Sequence, residues 1–487
     1  MILDSTLPAK PPAPDTYTQR RWAHSGLRRR LLSGNWLEDL EDELQRHVGG
    51  TARRAAWGIP DMSSNVFKGV CTALSALYNE SPAIGVVGAP EGAADMLLES
   101  GGLIDTAGLW PIMQRVQLFT IGIREMFVRV DLNHEKTGLL FRPVTPDFVY
   151  ASSPPGDPMT PNYLMEMRLR TTERGKHRWT YDVFDLTDMQ NPKWQVRAIT
   201  ASGKLGADLS DYYLDGDYTG TAYPYRDQAG MPVLPYTLYH AQLMGDHLFD
   251  PFNGAELCAG SLTASMLHTY GIHICRDAAH PQRWVMGCGI DGANVYDQDG
   301  AARRVAIASD PSSILVFSAD PELTSQPMIG QFNPGGDEAR IMEFITQFER
   351  KLSQSAGINP ASIQKISGDP RSGYAIAMSR SDTRSAQRRF TPSFKRGDLN
   401  TIRLAAIISN RFLGTQFPER SGNYRIEYSS IPLSKEEAES LRNDIIDKMN
   451  AGLITKIDAV KMLYPDFSDD QAAQYLREVK RQQIEFG

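Results

Sequence analysis

The sequence predicts an α+β chain in which helices and antiparallel strands occupy separate stretches. Apolar residues recur at helical spacing in several blocks, most clearly at Ile341, Phe344, Ile345, Phe348 and Leu352, which stand at i, i+3, i+4, i+7 and i+11. Between Glu125 and about Thr200 the period shifts to the alternation of strands with one wet face, as in Phe127-Val128-Arg129-Val130 and Trp179-Thr180-Tyr181-Asp182-Val183. Turn clusters such as Ser153-Pro154-Pro155-Gly156-Asp157-Pro158 separate these runs.

The elements follow in order. Residues 1–60 read as charged helices, with Arg28, Arg29 and Arg30 facing Glu38, Asp39, Glu41, Asp42 and Glu43 as a solvated surface. Helices are expected from about Ser63 to Tyr78 and from Leu109 to Ile123. After the strands, 201–230 reads as loops, and Met231-Pro232-Val233 as a short strand. A helix from Phe252 carries Leu257, Leu262, Met266, Tyr270 and Ile274, with a stop at Pro281. Short strands and turns fill 282–332, including a hairpin turn at Asp297–Gly300 and a buried strand at Ile314–Phe317. Asp337 caps the next helix, which Gly357 and Pro360 end. A polar loop, Ser367–Gly373, opens a long helix to about Leu413, where Pro392 is expected to kink or interrupt it. A strand at Tyr424–Tyr428, a capping box of Ser434 with Glu437, and a small helical C-terminal unit complete the chain.

Composition narrows the function classes. The chain has 487 residues, 41% hydrophobic and 22% charged, with mean hydropathy −0.35, which excludes a mostly disordered protein. No apolar run approaches the ~18 residues of a membrane span, and the proline-rich Met1–Pro14 lacks the order of a signal peptide, so a cytoplasmic chain is expected. Cys71, Cys258, Cys275 and Cys288 are scattered, which points to reduced thiols rather than disulfides or zinc. A net charge of −7 describes the whole surface and leaves room for a locally basic channel.

Enzyme patterns fail on context. Ser362-Ile363-Gln364-Lys365 and Lys136-Thr137-Gly138 match two motifs of penicillin-recognising enzymes, but in reversed chain order and with the serine in a loop. Gly85–Gly92 lacks the lysine and spacing of a phosphate loop and reads as a turn with glycine at positive φ. Asp208, Asp211, Asp215 and Asp217 do not follow a calcium-loop pattern, and the histidines show no metal-ligand spacing. No cofactor and no metal are expected. One cluster stands out. From Lys365 to Arg411 many basic residues are opposed only by Asp369, Asp382 and Asp398, and Arg380, Arg384 and Arg388 share a helix face.

The order of these blocks resembles the portal family of tailed bacteriophages. The likeness is carried from Gly230 onward by the Met231-Pro232-Val233 strand, the Ser372-Gly373-Tyr374-Ala375-Ile376 helix entry and the Leu453–Val460 segment. It implies a portal fold: a wing over 1–250, stem helices at 251–276 and 337–356, and a small α/β clip over 277–336. A tunnel loop would span 357–373, the long kinked wing helix and strand 374–431, and an all-helical crown 432–487. It further implies a homo-oligomeric ring, usually a dodecamer, at one capsid vertex of the virion, assembled in the host cytoplasm. Its partners would be the terminase, the head–tail adaptor, the major capsid protein and double-stranded DNA held without sequence preference, and no membrane. Lys365, Asp369, Arg371 and Ser372 would approach DNA. Arg380, Arg384, Arg388, Arg389, Lys395 and Arg396 would meet DNA or a neighbouring subunit. Asp297, Asp299, Arg303 and Arg304 would lie where adaptor or terminase docks. No catalytic residue is expected. The alternatives left open are a metal-dependent DNA-processing enzyme using carboxylates such as Asp208–Asp217 and a phage scaffold protein that encloses no channel.

Overall fold

The computed structural model describes residues 9–48, 60–90, 92–171, 175–214, 223–243, 245–279, 283–286, 288–290, 317–319, 328–331, 338–358, 373–429, 435–463 and 469–486. The helices are α1 (Thr16–Ser33), α2 (Leu37–Val48), α3 (Val66–Leu74), α4 (Ala93–Leu98), α5 (Leu103–Thr106), α6 (Leu109–Ile123), α7 (Ser210–Tyr213), α8 (Ala255–Ala279), α9 (Glu338–Ser355), α10 (Gly373–Phe412), α11 (Lys435–Asn450), α12 (Lys456–Leu463) and α13 (Asp469–Phe486). The strands are β1 (Ala83–Val86), β2 (Glu125–Leu132), β3 (Leu139–Val144), β4 (Val149–Ser152), β5 (Tyr163–Thr171), β6 (His177–Asp185), β7 (Lys193–Ile199), β8 (Leu205–Asp208), β9 (Tyr236–His240), β10 (Arg283–Met286), β11 (Cys288–Ile290), β12 (Phe317–Ala319), β13 (Met328–Gln331) and β14 (Tyr424–Glu427). This is an α+β chain. It divides into two compact units, one from Ile2–Ser25, Val70–Pro251 and Gly357–Gly487, the other from Gly26–Gly69 and Phe252–Ala356.

The first unit holds two antiparallel sheets. One has the order β3-β2-β9, the other is the meander β4-β5-β6-β7-β8. The expected alternation fails in β2, where Arg129 stands on the predicted wet face but is only 2% exposed. The reason is a network of buried charges. Arg129 Nη1 lies 3.0 Å from Asp182 Oδ2, and its Nη2 lies 2.9 Å from Asp131 Oδ2. Asp182 also takes Arg168 at 3.0 Å and Arg170 at 2.6 Å. Glu166 accepts from Arg142 Nη2 and from the Tyr236 hydroxyl, both at 2.6 Å. Arg129, Arg142, Glu166, Asp182 and Tyr236 come from β2, β3, β5, β6 and β9, so the network ties the two sheets together. Burial pushes the Asp182 carboxyl up, but Arg129, Arg170 and Arg168 outweigh it and hold the group well below the ordinary aspartate value.

Of the other helices of this unit, α6 and α10 pack on that frame. Residues up to Ser25 of α1 anchor to the meander through Arg21, which donates to the carbonyls of Pro146 (3.0 Å) and Val149 (2.6 Å), and through Trp22, packed with Met165, Met167, Tyr181 and Val183. The helix α6 has the bounds that its period predicts. The stretch 201–230, expected as loops, contains β8 and the one-turn α7, because Asp208 accepts from the backbone N–H and hydroxyl of Ser210. The strand expected at Met231–Val233 is reduced to a single bridge between Arg226 and Pro232, and the paired strand lies beyond Pro235 at β9. β14 pairs with β1 across the chain, Val86 opposite Tyr424. At α12 the Asp458 N–H donates to Thr455 Oγ1 (3.1 Å), while the Asp458 carboxylate accepts from the Thr455 N–H (3.0 Å), a reciprocal cap.

Pro392 does not interrupt α10, which runs helical for 40 residues, about 60 Å at the usual rise. Phe390 and Phe394 are buried on either side of the proline and pin the helix to the unit's core. Gly397 lies so close to the Tyr239 ring of β9 that a side-chain methyl there would overlap it.

In the second unit α8 and α9 pack together, with Leu352 Cδ1 seated 2.6 Å from where a Cβ on Gly260 would stand. Ile345 is buried, whereas Phe344 of the predicted stripe is 58% exposed. Glu349 accepts from His268 at 3.0 Å and from the Ser64 hydroxyl. Between the two helices the strands pair in nested order, β10 with β13 and β11 with β12. Arg30 makes a two-pronged pair with Asp39 at 2.7 and 2.6 Å, as opposite charges in this region lead one to expect. Arg28 departs from the solvated surface predicted for it: it is buried and donates to the Asn253 carbonyl at 2.9 Å.

Removing one partner of the sheet network strands the others in a dry site. Asp182→Ala is expected to destabilise the first unit by about 3 kcal/mol or more, read as a lower denaturant midpoint. The wild-type contribution, present above the ordinary aspartate value, is expected to vanish as pH falls through the depressed one.

Candidate functional site

The basic helix is the sequence-predicted site that the described residues contain most fully. From Arg384 to Phe412, α10 carries a single carboxylate, Asp398, among six arginines and one lysine. Its apolar positions face the core: Ala386, Phe390, Phe394, Ile402 and Ala405 are buried. Arg388, Arg389, Lys395 and Arg396 are exposed, and Arg384 is half-buried. Among the described residues no ion pair involves Arg388, Lys395 or Arg396. The salt bridges to acidic neighbours that often neutralise such a face are absent from these three.

Asp398 explains why. It points inward and is fully buried, where its Oδ2 accepts from the hydroxyls of Tyr78 (2.7 Å) and Tyr428 (2.5 Å) and its Oδ1 from Tyr239 (2.9 Å). Tyr239 also meets Thr401 Oγ1 at 2.7 Å. No cation shares this site in the described structure, so burial pushes the carboxyl up to about 6 against the opposing hydrogen bonds of Tyr428, Tyr78 and Tyr239. From Arg384 onward the helix thus spends its one acid on its own anchoring and leaves the outer face positive.

Two grooves flank that face. One, of about 790 Å³, is lined by Arg384, Arg388 and Lys395 together with Ser81, Glu427 and Tyr428. Gln387 secures its floor by donating to the Ser429 carbonyl at 2.7 Å. The other, of about 1110 Å³, holds Lys395, Arg396 and Arg403 against Asp157, Asp227 and Met231. Lys395 borders both. Arg389 differs from its neighbours: its guanidinium stacks 5.5 Å from the Phe390 ring, and the Gln242 amide oxygen, turned toward it, accepts from its Nε at 2.9 Å.

Lys365, Asp369, Arg371 and Ser372 lie outside the described residues, as do Asp297, Asp299, Arg303 and Arg304. Arg380 lies on α10, but only its backbone is described. The Asp297–Gly300 turn, residues 314–316, Asp337, Ser434, Ser362 and Lys365 are likewise outside the description. Of the acidic loop, Asp208 is paired with Arg197 at 3.6 Å and Asp215 and Asp217 are outside the described residues. Among the described residues no three His, Cys, Asp or Glu side chains gather where an ion could sit, and no helix is long and apolar enough to cross a membrane. What the sequence did not announce is the contribution of Ser81, Glu427 and Tyr428, brought to the helix only by the β1–β14 pairing.

No family model matches this chain, and no curated protein matches it. Among solved structures, a chain from the virion of a native gene transfer agent particle is similar over 87% of this chain and 92% of its own, with 12% identity and a TM-score of 0.37.

Because folding raises the Asp398 pKa, this group withdraws stability above about 6 and returns it as the pH falls toward the ordinary carboxylate value. The stability difference between wild type and Asp398→Asn is therefore expected to change in favour of wild type between about pH 8 and about pH 5. Denaturant midpoints of both proteins at the two pH values check this.

Proposed function

We propose that the chain is a portal-type subunit. In this reading it forms a ring at one vertex of a phage-like capsid, serves as the passage for DNA during packaging and ejection, and offers a docking platform to terminase and head–tail adaptor. It is a passive conduit, not an enzyme, and no ATPase loop is present in the sequence. The observation that carries the reading is the arrangement of residues 255–355. Two packed helices, α8 and α9, enclose strands that pair first with last, β10 with β13 and β11 with β12. The long helix α10 follows next in the chain. A stem, clip and wing-helix order, as the sequence resemblance implies it, would run in this way, and that agreement supports the reading.

A channel needs no base readout. Phosphate contacts that are weak, salt-sensitive and blind to sequence hold DNA while letting it slide. Ring closure would repeat each charge of the loop 357–373 once per subunit, so Lys365 and Arg371 would form a belt.

The native mass of the purified protein, with negative-stain images of the same sample, tests the reading. A closed ring with a central hole, near a dodecamer, is expected; a monomer or dimer at every concentration and salt overturns it. Magnesium-dependent cleavage of DNA by the pure protein would favour a metal-dependent nuclease instead. Lys365→Gln with Arg371→Gln is expected to alter packaging or DNA retention with the ring intact. Collapse of the ring would refute the placement of that loop.

A further inference from the structure

Two charged surfaces of this chain are opposite in sign. On α10, Arg388, Lys395 and Arg396 are exposed at the two grooves and carry no ion pair among the described residues. On α2, Leu40 and Leu44 are buried one turn apart, and Glu38 and Asp42, also one turn apart, are exposed on the other side. Asp39 is held by Arg30, and Glu43 by Arg46 and His47. Glu38 and Asp42 carry no ion pair among the described residues, so α2 turns acid outward where α10 turns base outward.

We propose that α2 of one copy docks on the basic face of α10 in a second copy, with Glu38 and Asp42 opposite Arg388 and Lys395. This rests on the ring reading and names a contact that would build it. The grooves favour a protein partner over a nucleic acid. Carboxylates lie among their cations, Glu427 in one and Asp157 and Asp227 in the other. A phosphate backbone would meet those carboxylates at a cost, whereas a helix sets its acids at the cations and neutral side chains elsewhere. The second groove also presents Met189, Met231 and Leu243, each 45–51% exposed, and α2 brings Leu37, 37% exposed, beside Glu38. The two surfaces are different patches of the same chain, so the contact is heterologous, the kind that closes into rings.

Charge reversal with mixing tests the proposal. Arg388→Glu/Lys395→Glu and, separately, Glu38→Lys/Asp42→Lys are each expected to weaken self-association on the order of a hundredfold. Both sets combined in one chain are expected to restore it. So is an equimolar mixture of the two reversed proteins, since each then offers the other a complementary face; only contact between copies gives that result. The neutral pair Arg388→Ala/Lys395→Ala, which leaves the fold least disturbed, is expected to flatten the salt dependence of assembly. Assembly indifferent to reversal overturns the proposal and leaves the ring reading standing, as does a combined chain or mixture no better than the single sets. Loss of duplex DNA binding by Arg388→Glu/Lys395→Glu with normal assembly assigns the face to nucleic acid and also overturns it. A wild-type protein that never assembles overturns both.

Discussion

The contact between Arg129 and Asp182 is the constraint from which the sheet unit follows. Neither charge can be left alone in a dry interior, so neighbours that can answer them are drawn in: Asp131, Glu166, Tyr236, Arg168 and Arg170 directly, then Arg142 through Glu166. The strands must then hold one register. A slip of a single residue in β2 would turn Arg129 to the opposite face and empty the site. The rings of Phe184, Trp194 and Tyr236, centred 5.4 to 5.8 Å from the guanidinium, complete its enclosure. With β9 fixed in this way, Tyr239 is set to receive α10 at Gly397, and the long helix is seated as a consequence of the sheet.

That seating divides α10 into two chemistries. Its inner side needs a polar group to meet three tyrosine hydroxyls, and Asp398 supplies one. Its outer side needs none and keeps the cations. The same short stretch that anchors the helix thus also determines the sign of its surface.

Much of this was legible from spacing alone. The period of Leu109–Ile123 marks α6, the acid–base neighbours near Arg30 foretell its pair with Asp39, and of the evenly spaced arginines Arg384 is half-buried and Arg388 exposed on α10. Binary pattern reads polarity as exposure, and it failed where polar groups satisfy each other out of water, at Arg129, Glu166, Asp182 and Arg28. Pro392 does not end the helix, because the buried Phe390 and Phe394 keep it running past a missing N–H. The strand placed at Met231–Val233 is cut short by Pro232 and Pro235, which donate nothing to a ladder. The smaller groove could not be read at all, since β1 and β14 are separated by most of the chain. The inward turn of Asp398 did leave a trace: Phe394 and Ile402, four residues to either side, put it on the apolar face.

The second unit is assembled from two stretches, Gly26–Gly69 and Phe252–Ala356, with the whole sheet region encoded between them. During synthesis the earlier stretch leaves the ribosome roughly 180 residues before its counterpart begins to appear, a delay of about 10 to 40 s at ordinary elongation rates. Throughout that interval Leu31, Leu32, Trp36 and Leu40, all buried in the finished protein, have no complete core to enter. The nascent chain therefore passes through a period of sticky exposure whose length is set by gene order, and slower translation of residues 70–251 lengthens the time in which a chaperone must hold it.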